Sequence, residues 1–266
     1  TNGKLTSITD VIGMTSTMTY NGTNRLATLV TPYGTNTFSY LSGSNAVNGN
    51  WYGVRVNEHG LRNHLYLYGN GPSDLFPNAS SDHTSLAAVI STNSVLFPWV
   101  ETFDYQNLHL RNSYYWGPRQ FDNLSSSTRS NVLAGTFDMS ALTTNEFNIG
   151  WVRHWLLKDT RFLGSVISVL REPTGDSSGG SQGLMTWYDY EYKRNQDYSM
   201  QGAYALPRWV AYKAGQLTWH TYEPGGEGLV SLSTNIWIDW RLIHTDRNNI
   251  AKPTRVIETY GVRRLT

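Results

Sequence analysis

The sequence predicts a mainly β protein built of repeated antiparallel β-hairpins, with one amphipathic helix in a non-repeating insertion. Three observations carry this expectation. A unit near the N-terminus repeats itself, period-2 alternation recurs around Gly and Pro turns, and the composition suits sheets. Ten Trp, 17 Tyr and 8 Phe bring aromatics to 13% of the 266 residues, while charged residues reach only 15% and the net charge is +1. That balance excludes a disordered chain, which needs low hydrophobicity and high net charge, and a basic nucleic-acid binder. No apolar run approaches the ~18 residues of a membrane-spanning helix. The absence of cysteine removes disulfides, thiol nucleophiles and Cys-based zinc sites together.

Taken in order, residues 3–20 read GKLTSITDVIGMTSTMTY and residues 24–40 read NRLATLVTPYGTNTFSY. Leu5 aligns with Leu26, Gly13 with Gly34 and Tyr20 with Tyr40, at separations of 21, 21 and 20 residues. Each unit is an alternating strand, a turn and a second alternating strand, the pattern of a hairpin. Gly belongs at such turns because tight reversals require positive φ. Looser copies follow. Val54–Gly60 leads into His64–Tyr68, and Gly183–Tyr190 resembles the second half of a unit. Arg208–Gly215 leads into Leu217–Tyr222, and Pro253–Tyr260 reads as the opening of another unit, so the sequence has the look of a slice from a longer array.

These residues resemble the YD-repeat proteins of the RHS type, closely over the first 40 residues and more loosely at Tyr66–Tyr68, Trp187–Tyr190 and Trp219–Tyr222. The resemblance implies hairpins added edge to edge into an extended, spiralling sheet, either a shell or a fibre, secreted or displayed at a bacterial surface. Gly13, Gly34, Gly60 and Gly215 would permit the turns, and Tyr20, Tyr40, Tyr68, Tyr190 and Tyr222 would close successive hairpins. Toxin-bearing members of that family add a C-terminal core with an autoproteolysis motif, which nothing in this sequence matches.

The expected organisation is hairpin repeats over residues 1–68, a non-repeating insertion over 69–171, and degenerate repeats over 172–266, the last truncated. Within the insertion, residues 71–112 are rich in Pro, Ser and Asn, and Leu86–Ile90 fits a helical turn or a strand equally well. Thr143 and Glu146 have capping-box spacing, and Phe147, Trp151 and Trp155 recur at i, i+4 and i+8 before Lys158. They predict a helix over 144–158 with its aromatic stripe on a sheet face. Residues 172–183 read as a flexible loop, and 231–244 alternate as a strand.

Candidate chemistry is thin. Gly175–Gly179 satisfies G-x-S-x-G, but Ser177 and Ser178 lack the strand before and helix after that a nucleophile elbow needs. The seven histidines (His59, His64, His83, His109, His154, His220 and His244) form no metal-binding spacing. Asp176–Gly183 lacks the alternating acids of a calcium loop. Asp104, Asp122, Asp138, Asp189, Glu191, Asp239 and Glu258 are carboxylates that sequence alone does not pair for glycoside hydrolysis. Asn21, Asn78 and Asn123 head N-x-S/T sequons at the frequency chance gives.

The expectation is therefore a structural protein rather than an enzyme, needing no cofactor or metal. Its expected partners are flanking repeats or further copies of itself, with no nucleic acid and no membrane span. A glycan- or partner-binding adhesion module is the second reading, because Trp and Tyr stack on sugar rings as readily as across strands. The wall of a toxin-enclosing shell is the third.

Overall fold

A computed structural model describes residues 3–45, 49–69, 110–159, 162–181, 183–190, 199–202, 205, 207, 209–212, 216–222, 230–247 and 253–263. They fall into two compact units, the first drawn from Thr1–Ser81, Leu108–Arg153 and Glu172–Gly183, the second from His154–Arg171 and Leu184–Thr266, with Asp82–Asn107 outside the described residues. The fold is mainly β and antiparallel, as the alternation predicts.

The first unit is an up-and-down sheet of β1 (Ser7–Thr9), β2 (Thr15–Tyr20), β3 (Leu26–Thr31), β4 (Gly34–Asn45), β5 (Gly49–Glu58), β6 (Arg62–Gly69) and β7 (Asn112–Trp116), each paired with its neighbours in sequence. The strands at the β1 end are exposed or half-exposed, while one face from β4 to β7 is buried. Over that face lie α1 (Pro118–Asp122), α2 (Ser126–Ala134), a 3-10 turn (Met139–Ala141) and α3 (Thr144–Asn148). Leu41, Trp51, Leu65, Leu67, Tyr114 and Trp116 form one continuous core with helix-side residues such as Phe121, Leu142 and Phe147. Register explains the fit: Leu41, Gly53, Leu67 and Tyr114 face one another in a row across β4 to β7. Gly53 belongs in that row because a Cβ there would lie 2.7 Å from Leu67 Cδ2 and 3.2 Å from the Tyr66 carbonyl.

The predicted capping box is real. Thr143 Oγ1 accepts from the Glu146 amide at 3.3 Å, and Glu146 Oε2 accepts from the Thr143 amide at 2.9 Å. The helix it starts is not the predicted one. It stops at Asn148, and residues 151–157 are a strand, β8 (Trp151–Leu157). A spacing of four is even, so it keeps residues on one face of a strand as well as of a helix. Trp151 and Trp155 therefore share a face in either structure, but here it is the half-exposed one. Val152, His154 and Leu156 point to the buried side.

The loop 172–183 also differs from its expectation, being built onto the first unit. Asn148 Nδ2 donates to the Gly179 carbonyl at 3.0 Å, and the Thr174 amide donates to the Asn148 carbonyl at 3.0 Å. Gly179 has φ +72° and is so close to α3 that a Cβ would lie 2.1 Å from the Asn145 carbonyl oxygen. Gly is needed there for the docking itself, which composition does not reveal.

The second unit contains β9 (Leu163–Arg171), β10 (Met185–Asp189), β11 (Trp209–Tyr212), β12 (Gln216–Tyr222), β13 (Val230–Arg247) and β14 (Pro253–Arg263), and β8 runs into it at His154. β9 and β10 pair antiparallel, so the expected boundary at 171/172 cuts through a hairpin. The strand over 231–244 is found within β13. The expected hairpin between β11 and β12 is not formed. β11 pairs with Arg241–His244 and β12 with residues 230–237, leaving the two end to end along one side of β13 while β14 takes the other. An 18-residue strand is long enough to pair with both. The assignment left open at Leu86–Ile90 lies outside the described residues. Among the described residues no helix is long and apolar enough to cross a membrane.

Candidate functional site

The repeat residues are the positions that do something recurrent, and the structure shows what. In β1–β2, the Tyr20 hydroxyl donates to the Leu5 carbonyl at 2.7 Å. In β3–β4, the Tyr40 hydroxyl donates to the Leu26 carbonyl at 2.9 Å. In β9–β10, the Tyr190 hydroxyl donates to the Ile167 carbonyl at 2.8 Å. The geometry is the same each time. Continuing the registers Ser7↔Thr17, Thr28↔Thr37 and Trp187↔Val169 sets Leu5 opposite Thr19, Leu26 opposite Ser39 and Ile167 opposite Asp189. In every case the Tyr is the next residue along. A phenol is long enough to reach diagonally over the neighbouring strand and take a carbonyl near the far end of its own hairpin.

The first two ties share a further part that sequence inspection passed over. Lys4 Nζ lies 4.9 Å from the Tyr20 ring centre, and the Arg25 guanidinium lies 5.0 Å from that of Tyr40. In both copies the cation immediately precedes the Leu whose carbonyl is bonded, so a basic residue before Leu was the available signal. Cation–π contacts at such exposed sites contribute about 0.5–1 kcal/mol. Replacing Tyr40 by Phe should keep the ring contact but orphan the Leu26 carbonyl, costing about 1 kcal/mol. The effect should appear as faster hydrogen exchange in β3 and β4, and unchanged exchange there would refute the tie.

The turns are built alike. Asp10 Oδ1 accepts from the Ile12 and Met14 amides at 3.0 and 2.9 Å, and Thr31 Oγ1 accepts from the Tyr33 amide at 3.2 Å, one repeat later. Gly13, Gly34 and Gly60 have φ of 85°, 145° and 75°, the region expected of them. Gly215 lies outside the described residues.

Tyr68 does not close its hairpin. It is exposed and stacks on Tyr52 at 5.7 Å, because its register partner is an aromatic ring on the same face. Tyr222 ends β12 opposite Val230, after a register shift. Tyr190 is buried in the second unit's core with Leu156 and Val166.

Of the residues weighed for chemistry, Ser178 Oγ donates to Asp176, whose carboxylate also accepts from the Ser178 and Gly180 amides. Those bonds, the Ser178 hydroxyl first, hold the Asp176 carboxyl below its ordinary range. Ser177 and Ser178 thus sit in a carboxylate-organised turn and not between a strand and a helix. His59 occupies the β5–β6 turn, and His64 pairs with Glu58 at 3.6 Å and shares a 2.9 Å hydrogen bond with Tyr115. Burial, aided by the neighbouring Tyr66, pushes the Tyr115 hydroxyl up. His154 is buried in β8, His220 and His244 lie in β12 and β13, and His83 and His109 fall outside the described residues. Asp122 ends α1, Asp138 caps the 3-10 turn, and Asp189, Asp239 and Glu258 lie in β10, β13 and β14. Asp104 and Glu191 are outside the described residues. Among the described residues no group of three or more His, Asp or Glu could hold a metal ion.

Comparison with known proteins agrees with the repeat reading. Residues 1–35 match the family model of the RHS repeat. No curated protein matches the chain. RHS repeats typically occur in secreted or cell-surface bacterial proteins. With the match falling on the N-terminal hairpin repeats and the same tyrosine tie recurring at Tyr190, the comparison supports a repeat protein of the YD/RHS type.

Proposed function

We propose that this chain is a structural segment of a secreted or surface β-repeat assembly, extended by edge-to-edge strand addition and performing no catalytic step of its own. The observation that carries the reading is the recurrence of one tie at one register offset in three hairpins. Each hairpin closes on itself through its tyrosine and still offers a strand edge of N–H and C=O groups to the next. Repetition of a self-closing unit is what a scaffold needs, whereas a catalytic site needs one unlike place. Flanking repeats or further copies are the partners in this reading.

Electron microscopy of the untrimmed native material tests it. Regular fibres or hollow particles with a strand-scale repeat are expected, the second favouring a wall that encloses a cargo. Isolated globular particles would sink the proposal. The adhesion reading draws on the half-exposed face where Tyr66 stacks on Tyr115 at 4.4 Å and Tyr52 on Tyr68. It predicts that oligosaccharides quench tyrosine fluorescence in a saturable way, which a purely structural face would not show.

A further inference from the structure

We infer that the rim formed by the first three hairpin tips is a self-association surface, on which a second copy of this chain docks about a two-fold axis. The strands of the first unit run up and down, so the β1–β2, β3–β4 and β5–β6 turns share one rim. Turn tips ordinarily carry Gly, Asn, Asp or Ser. Here they carry Val11 and Ile12, then Tyr33, then Leu61, with exposures of 104%, 75%, 76% and 84%. From β1 to β10, every other large apolar side chain whose burial is described is less exposed than these four. None of them serves the core, so their clustering on one rim is not a by-product of folding. The tips also touch along the rim. The Tyr33 hydroxyl lies 3.9 Å from Met14 Sδ, and Gly34 is so near the His59 ring that a Cβ would come within 2.8 Å of it. The row is therefore one supported surface rather than three loose loops.

Charge selects the occupant. The first tip carries Asp10, whose two turn bonds both fall on Oδ1 and leave Oδ2 with acceptor capacity. The third tip carries exposed His59 and Arg62, with Glu58 turned to His64 at 3.6 Å. An isologous contact sets the first tip of one copy against the third tip of the other. That places Asp10 against Arg62 and His59, sets Val11 and Ile12 on Leu61, and brings Tyr33 onto its symmetry mate. The acid end would repel an anionic lipid surface, whereas a second copy satisfies both ends at once. The contact uses side chains on the rim, whereas strand addition uses backbone at the edges, so the two can be tested apart. Small interfaces of this kind are weak, with a dissociation constant on the order of tens of micromolar.

The chain has no cysteine, so a single introduced thiol is a specific probe. Tyr33→Cys should form a disulfide-linked dimer under mild oxidation, far faster than Ser130→Cys on the exposed side of α2. In sedimentation velocity from 1 to 100 µM, the parent chain should associate reversibly, and Val11→Asp with Leu61→Asp should remain monomeric with unchanged circular dichroism. Arg62→Glu should weaken association about tenfold, since the pair occurs twice across the axis. Equal cross-linking of the two thiols, or a monomeric parent chain at 100 µM, would overturn the inference. So would association that survives the tip changes but is lost on Ile8→Pro at the β1 edge, a result that would leave strand addition standing. Pelleting of the parent chain with phosphatidylglycerol vesicles, lost in the tip variant, would assign the rim to a lipid surface instead.

Discussion

Replacing Trp116 by Ala should destabilise the first unit by about 4 kcal/mol, the range for truncating a buried large aromatic. Trp116 has no exposed surface and lies 5.8 Å from Tyr114 and 6.4 Å from Phe147, ring centre to ring centre. Its indole N–H donates to the Glu146 carbonyl at 2.8 Å, so the ring also tethers α3 to the sheet. Gly150 lies against the same ring, where a Cβ would meet the indole at 2.8 Å, so the pocket is tight and has little room to collapse. Trp116→Phe separates the two contributions: it keeps most of the apolar volume and loses the hydrogen bond, and should cost clearly less. Thermal unfolding followed by near-ultraviolet circular dichroism reads both. A Trp116→Ala change smaller than about 1 kcal/mol would mean that the helices are not held through this residue.

Glu146→Ala should cost about 2 kcal/mol, because partly buried donors at two helix starts lose a charged acceptor. One carboxylate oxygen accepts from the Ser125 amide at 3.2 Å, and the other from the Thr143 amide and hydroxyl at 2.9 and 3.0 Å. Ser125 is the N-cap of α2 and Thr143 that of α3, so one side chain locks two helix starts together. Burial acts to raise its pKa, but hydrogen bonds from Thr143, Thr128 and Ser125 outweigh that and hold the carboxyl below its ordinary value. The folded state therefore binds this proton less readily than the unfolded state. The stabilisation is complete above the unfolded value of about 4.3 and disappears as the pH falls through the lower folded value. The melting temperature of the first unit should decline on acidification below about pH 4 with a component that Glu146→Gln lacks. Identical acid profiles for the two proteins would remove Glu146 as its source.

The local order of the repeats is readable from the residues themselves. Leu5, Gly13 and Tyr20 recur one unit later as Leu26, Gly34 and Tyr40 because each performs a task within its own hairpin. A tie of 14 or 15 residues and a turn of a few are short-range interactions, and short-range interactions leave a period in sequence. The capping box at Thr143 and Glu146 was legible for the same reason. Length was not: an i, i+4, i+8 aromatic series is compatible with helix or strand, and packing of Val152 and Leu156 into buried positions decided for the strand.

By itself, then, the sequence determined the N-terminal hairpins, their turn glycines and three of the tyrosines that close hairpins, Tyr20, Tyr40 and Tyr190, since these depend on residues close together along the chain. Only the tertiary structure decided which tyrosines lose that role, as Tyr68 does by facing Tyr52. It also decided that Gly179 docks a loop on α3 and that β11 and β12 share β13 instead of each other. Those outcomes rest on contacts between residues far apart in sequence, whose free energy depends on register and packing and imposes no period on the chain.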